Sequence, residues 1–169
     1  MPNNLYIDPS ITCTGTAFFI DGVLEDARLL RTKPTDTNRL LLLHNQARRW
    51  YGSETMDSVY YETPQLRARG QGAKPEDLFK LSMAVGAVVG ALNAWMLEAV
   101  KITSWKGQLP KEITHEHMWR VLSEDEAATL NACLATEPKS LVHNAYDAVC
   151  IGLYIEGRAT WVRRRKGRM

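Results

Sequence analysis

Three acids in this chain stand where a carboxylate can do chemistry. Asp8 ends the short apolar run Leu5-Tyr6-Ile7 and opens the stretch Asp8-Pro9-Ser10-Ile11-Thr12-Cys13-Thr14-Gly15-Thr16. Glu62 closes Val59-Tyr60-Tyr61, and Asp147 lies inside the apolar, helix-like segment His143-Asn144-Ala145-Tyr146-Asp147-Ala148-Val149. A carboxylate at the end of a buried strand, followed by a turn and a second strand, is poised to hold a metal or a phosphate. Alone, Asp8 reads as a solvated turn acid; two strand acids and a helix acid together reverse that preference. Hydrolysis of a phosphodiester needs an activated water and a stabilised leaving oxygen, and two divalent ions about 3.5–4 Å apart supply both. Hard ions such as Mg2+ take oxygen ligands and keep several waters, so a few carboxylates suffice.

Two further polar residues precede Asp147 on the same helical face, His143 four positions before it and Asn144 three. His143 can ligate a metal through nitrogen, which suits Mn2+ better than Mg2+. It can instead orient the attacking water or protonate the leaving group. Asn144 can offer its amide oxygen or cap a polar pocket. Which of the two fills a fourth active-site position stays open at the level of sequence.

The elements that must position these residues follow from local pattern. Leu5–Asp8, Gly15–Ile20 and Val23–Arg31 read as a three-stranded meander whose second turn, Asp21-Gly22, is a strong two-residue hairpin signal. Pro34 breaks the third strand. A helix follows, capped by Thr35 or Asp36, with Leu40 to Leu43 and Ala47 on its buried face and Gly52 past its end. Met56–Glu62 is the fourth strand. A polar loop, Thr63–Lys74, leads to Pro75 and a helix predicted to run to about Ala99, crowded with small residues, before a short strand Val100–Thr103. Ser123-Glu124-Asp125-Glu126 is a capping box, and Pro138 is read as the start of the last long helix. The order is that of an α/β layer architecture with a mixed sheet.

At 169 residues the chain is expected to form one domain, residues 1–157, with a basic tail at 158–169. Its 45% hydrophobic and 24% charged residues are ordinary for a globular protein, and no stretch approaches the ~20 apolar residues of a membrane span. The N-terminus lacks a signal-peptide pattern. Cys13, Cys133 and Cys150, odd in number and without metal-ligand spacing, read as buried thiols of a reducing compartment, hence a cytoplasmic protein. Net charge is only +2, yet Arg158, Arg163, Arg164, Arg165, Lys166 and Arg168 follow Glu156 with no acid among them. Such a block is either a solvated tail or a phosphate-binding arm.

The pattern resembles the RuvC family of Holliday-junction resolvases, within the RNase H-like (retroviral integrase) superfamily, over roughly Leu5 to Gly157. Asp8-Pro9 followed by Thr14-Gly15 is similar to that family's opening motif Asp-Pro-Gly-x-x-x-Thr-Gly, with Ser10 in place of the usual glycine. Tyr61-Glu62 is similar to its second acid, and Asn144-Ala145-Tyr146-Asp147-Ala148 to its closing Asp-Ala-Ala-Asp-Ala. The resemblance implies a five-stranded mixed sheet of order 3-2-1-4-5 flanked by helices, with the first and fourth strands neighbours. It implies a Mg2+-dependent endonuclease holding two ions per site, Mn2+ substituting, with Asp8 bridging and Glu62 and Asp147 completing one ion site each. Branched DNA is the implied partner, cut in pairs by a homodimer with no membrane association; the small-residue helix from Glu76 to Ala99 is the implied dimer element.

DNA contacts are expected from Arg67, Arg69 and Lys74 in the loop after Glu62, from Lys106 and Lys111 after the fifth strand, and from Arg163, Arg164, Arg165 and Lys166 in the tail. Where the family carries an aromatic wedge, this chain has Gln65 and Leu66. Trp161, beside the basic tail, is the expected base-stacking aromatic. His115 and His117 are read as surface residues, and Trp50, Trp95 and Trp119 as helical core or interface. The compact length and the segment Trp105 to Lys111 look more like phage-borne relatives; the expected compartment is the cytoplasm, that of a host if the chain is phage-encoded. Two other classes compete: an actin- or hexokinase-like phosphate-binding domain, and a junction-binding protein with weak catalysis.

Overall fold

Continuously buried runs along β1 (Asn3–Asp8) and β2 (Cys13–Ile20) and a partly alternating β3 (Val23–Arg31) build the meander that the sequence predicts. The computed structural model describes residues 1–64, 74–159 and 161. Asp21 and Gly22 both take positive φ, 52° and 77°, the turn geometry that matches the right-handed twist of the flanking strands. The helix α1 (Arg39–Tyr51) follows, its N-cap at Asn38 and its end at Gly52. Asp36 does not cap it; its carboxylate accepts the Lys33 backbone N–H at 2.6 Å and closes the preceding turn.

β4 (Thr55–Glu62) pairs in parallel with β1, and α2 (Pro75–Val89) is shorter than the small-residue stripe suggests. Gly90 ends it, and β5 (Asn93–Val100) pairs in parallel with β4 from Thr55↔Asn93 to Glu62↔Val100. The predicted helix to Ala99 and strand at Val100–Thr103 are therefore corrected. Ala91 and Ala94 continued a helical small-residue pattern, but parallel pairing with a full-length neighbour overrides that local preference. The five strands lie in the order β3-β2-β1-β4-β5.

Four helices complete the described residues: α3 (Ile102–Trp105), α4 (Lys111–Val121), α5 (Glu124–Leu134) and α6 (Val142–Ile155). Ser123 and Glu126 form the expected capping box. The last helix starts at Val142 rather than Pro138, because the Leu141 N–H bonds the Pro138 carbonyl in a turn first.

The pleat sends alternate residues to two cores. Leu5, Ile7, Phe18 and Val59 pack with Leu43, Ala47, Ala84 and Val88 of α1 and α2, while Tyr6 and Phe19 pack with Ala148, Ile151 and other residues of α6. Asp8 shares the parity of Tyr6, and Glu62 that of Tyr60, whose ring stacks on Tyr6 at 5.2 Å. Both acids therefore face the α6 layer.

Arg158, counted with the basic tail from sequence, is built into this layer. Its guanidinium donates to both Glu126 oxygens at 2.6 Å and to the carbonyls of Gly22 and Val121. Glu126 also accepts the Leu24 N–H at 2.9 Å. Against burial, which raises it, the Arg158 and backbone hydrogen bonds hold the Glu126 carboxyl down at about 2. All three cysteines are free thiols; Cys13 and Cys150 are buried and Cys133 partly so. Among the described residues, no helix is long and apolar enough to cross a membrane.

Candidate active site

Asp8 and Glu62 end neighbouring parallel strands, one rung beyond the Ile7↔Tyr61 pair. Across them lies Asp147, 6% exposed, in the middle of α6. What lets α6 come so close is Gly15, which sits opposite Asp8 in the β1–β2 ladder. A Cβ at Gly15 would lie 2.0 Å from the Asn144 carbonyl oxygen and 2.7 Å from the Ala145 nitrogen. Both groups are helix backbone and cannot step aside, so a side chain here displaces the helix that carries Asp147. Gly15→Ala is expected to cost about 1–3 kcal/mol of stability, read as a lowered thermal midpoint. An unchanged midpoint would show that α6 is not seated on β2 at this point.

Ser10, where a glycine is usual in the resembling family, fits its turn because its hydroxyl organises it. The Ser10 Oγ accepts the Thr12 and Cys13 N–H groups at 3.3 Å, and the Thr14 hydroxyl donates to the Ser10 carbonyl at 2.5 Å. Ser10 has no positive φ, so a glycine is not required.

Charge and burial act differently on the three acids. Burial, then the charges of Glu62 and Asp147, push the Asp8 carboxyl well above its usual range, and among the described residues no donor reaches it. Burial raises Glu62 to about 7, although the Trp105 indole N–H donates to its Oε2 at 3.0 Å. Asp147 is the exception. Burial acts to raise it, but hydrogen bonds from His115 and Lys111 hold it below its ordinary value. His115 Nε2 is 2.8 Å from one Asp147 oxygen and the Lys111 Nζ 2.5 Å from the other.

His115 is thus not the surface residue that the sequence suggests; its ring packs edge-on against Tyr146 at 5.3 Å. His117 is likewise enclosed, with a buried Nδ1 that has no partner among the described residues. Lys111 and His115, four apart at the start of α4, present an ammonium and an imidazole to Asp147 from one helical face. That spacing was the available signal, unread because Asp147 is more than thirty residues away.

His143 lies at the rim of the same crevice. Burial and then the charge of Lys111 lower its imidazole pKa below the usual value, so the ring is neutral at pH 7. Asn144 turns elsewhere: its side chain lies beside the Cys13 thiol and eases a pKa that burial raises. Lys106 adds positive charge felt by Asp8 and Glu62.

Oxygen donors from three converging carboxylates, two of them raised by burial and by neighbouring carboxylate charge, suit a hard divalent cation. Asp8, Glu62 and Asp147 are the residues that could hold it, with His143 adjacent. As their side chains stand, no three His, Cys, Asp or Glu residues among those described form a ready cation cage, and both Asp147 oxygens are engaged by α4.

Of the expected DNA-contacting residues, Lys74 is exposed at the N-cap of α2. Arg67, Arg69, Arg163, Arg164, Arg165 and Lys166, and Gln65 and Leu66, lie outside the described residues. Trp161 is not a free stacking platform: its indole N–H donates to the Trp105 carbonyl at 3.1 Å and its ring packs beside His117. Trp95 stands on β5 rather than on a helix and is 82% exposed. Trp50, on α1, is partly exposed under the Arg28 guanidinium, and Trp119 packs on Tyr146.

No protein-family model matches the chain, and no curated protein does. Among solved structures it is similar to "T. thermophilus RuvC in complex with Holliday junction substrate", with 18% identity, a TM-score of 0.56, and coverage of 90% of this chain and 91% of that one. The fold is RNase H-like. A second structure, of Thermus thermophilus RuvC, aligns over 93% of this chain and 98% of its own at 20% identity and a TM-score of 0.49.

Proposed function

We propose that this chain is a divalent-cation-dependent endonuclease that resolves four-way DNA junctions. The observation that carries the reading is the convergence of Asp8, Glu62 and Asp147 at one end of an RNase H-like sheet. It is supported by a fold shared with a RuvC whose structure contains a Holliday junction substrate. Two Mg2+ ions, with Mn2+ as a substitute, would supply the activated water and the stabilised leaving oxygen when bound.

The chain's own residues prepare that chemistry. Asp8 feels the charges of both other acids, and Asp8, Glu62 and Asp147 together would hold the ions. Lys106 and Lys111 draw a phosphate towards the carboxylates. His143, neutral and beside Asp147, can accept or return a proton at its ring nitrogen. His143→Ala is expected to lower the turnover rate by about 10²–10⁴-fold with junction affinity little changed. Asn144→Ala should act on stability instead, through Cys13. Turnover lost on Asn144→Ala and kept on His143→Ala would exchange the two roles.

A junction has two-fold symmetry, so paired cuts call for two sites in a symmetric dimer. Phe79 and Met83 of α2, and Trp95 and Leu97 of the edge strand β5, leave large apolar surface exposed, which suits contact with a second copy. Arg67, Arg69, Lys74 and the tail residues Arg163 to Lys166 would track phosphates outside the site. The protein would act in the cytoplasm, or in that of a host.

The engagement of both Asp147 oxygens by Lys111 and His115 favours a second reading, a junction-binding protein of weak catalysis. One panel separates the two: a fixed four-way junction, a Y-fork and linear duplex, each in Mg2+ and then Mn2+. Cutting concentrated on the junction supports the nuclease. Tight junction binding without cutting in either metal supports the second reading.

A further inference from the structure

Glu62 is held from a direction that the three-acid picture does not include. The Thr63 N–H bonds the Val100 carbonyl at 2.8 Å, tying the end of β4 to the end of β5. The chain then turns through α3, whose last residue, Trp105, is 1% exposed. Its indole N–H donates to the Glu62 Oε2 at 3.0 Å, and among the described residues no other donor reaches that carboxylate. The Trp105 carbonyl in turn accepts the Trp161 indole N–H at 3.1 Å.

A buried tryptophan can simply fill space, and Trp105 belongs to the core that includes Met118 and Leu130. Packing alone would be met by any large ring, and an indole N–H in a core can be satisfied by a backbone carbonyl. Here it is aimed at a functional side chain. A glutamate has three rotatable bonds, and one fixed oxygen removes most of that freedom before any ligand arrives. Among the described residues, Oε1 is left free of protein donors. Partners of this kind, one step behind a ligating carboxylate, typically matter about 10–100-fold in metal affinity or activity.

We propose that Trp105 is a positioning residue that presets the Glu62 carboxylate for cation binding, and that Trp161 steadies it through the Trp105 backbone. The proposal rests on Glu62 being a cation ligand. It ties the C-terminal segment to the active site by two successive indole hydrogen bonds, Trp161 to Trp105 and Trp105 to Glu62.

The test uses the full chain without DNA. Mn2+ affinity is measured by calorimetry for the native protein, Trp105→Phe, which keeps a ring and removes the N–H, and Trp161→Phe. Trp105→Phe should weaken Mn2+ binding about 10–100-fold, and Trp161→Phe less, in the same direction. On a junction substrate, saturating Mn2+ should restore most of the kcat of Trp105→Phe, whereas Glu62→Gln should remain impaired. With Trp105 intact, its indole N–H resonance should shift between the native protein and Glu62→Gln, a readout that survives if Trp105→Phe fails to fold. Native Mn2+ affinity in a folded Trp105→Phe, an indole resonance indifferent to Glu62→Gln, or no Mn2+ binding by the native protein overturns the proposal. A protein that binds Mn2+ through this arrangement and cuts no junction would overturn the nuclease reading and leave the positioning role standing.

Discussion

Asp8→Asn is expected to abolish strand cleavage in both Mg2+ and Mn2+ while junction affinity stays close to native. The carboxylate stands at the end of β1 with no protein donor among the described residues, and its pKa is raised by burial and by the charges of Glu62 and Asp147. Such a group gains most from a bound cation and loses its purpose with its charge. An amide keeps the shape but halves the oxygen donors and removes the negative charge, so phosphate contacts elsewhere are untouched or slightly favoured. Glu62→Gln and Asp147→Asn should fall the same way, with some residual cutting in Mn2+ acceptable. Near-normal cleavage by Asp8→Asn, checked by gel analysis of a fixed junction, would contradict the three-acid centre.

Arg158→Ala should produce a large loss of stability. Glu126 is 2% exposed and Arg158 27% exposed, and the pair ties α5 to the β2–β3 turn and to the residues just after α6. Removing the arginine leaves a buried carboxylate without its counter-charge, held only by the Leu24 and Ser123 N–H groups, at a cost of about 3–5 kcal/mol. For a chain of this size that is a fall of roughly 10 °C in thermal midpoint. The pH dependence has a defined sign. Glu126 is depressed from 4.5 to about 2, so its contribution is complete above the unfolded value and lost as pH falls from 4.5 towards 2. The gap between native and Arg158→Ala midpoints should therefore be widest near neutrality and narrow on acidification. A gap independent of pH would show that packing of the arginine stem, not the ion pair, stabilises this corner.

Where local pattern sufficed, the sequence was legible. The Asp21-Gly22 turn, the meander, the two acid-bearing strands and the capping box at Ser123 each rest on neighbouring residues, and each appears in the structure. The sheet order came from resemblance, and the observed order agrees with it. The misread stretch, Ala91 to Val100, carries small and apolar residues that satisfy either period, and only pairing with β4 decides between them. The candidate site was legible as three acids and illegible as a network. Lys111, His115 and Trp105 earn their roles from partners 32 to 43 positions away, as the His115–Asp147 and Trp105–Glu62 separations show. Arg158 was misplaced for the same reason: a basic run looks uniform until one member meets a buried acid 32 positions back.

The most direct measurement is the product formed from a supercoiled plasmid carrying an extruded cruciform, incubated with the full chain in Mg2+. Two cation-loaded sites acting on one symmetric junction should convert it to linear molecules, with both strands cut within the lifetime of a single complex. Asp8→Asn should bind the cruciform and leave the plasmid supercoiled. Plasmid left supercoiled by the native protein in both Mg2+ and Mn2+, despite tight cruciform binding, would contradict an endonuclease and leave a junction-binding protein.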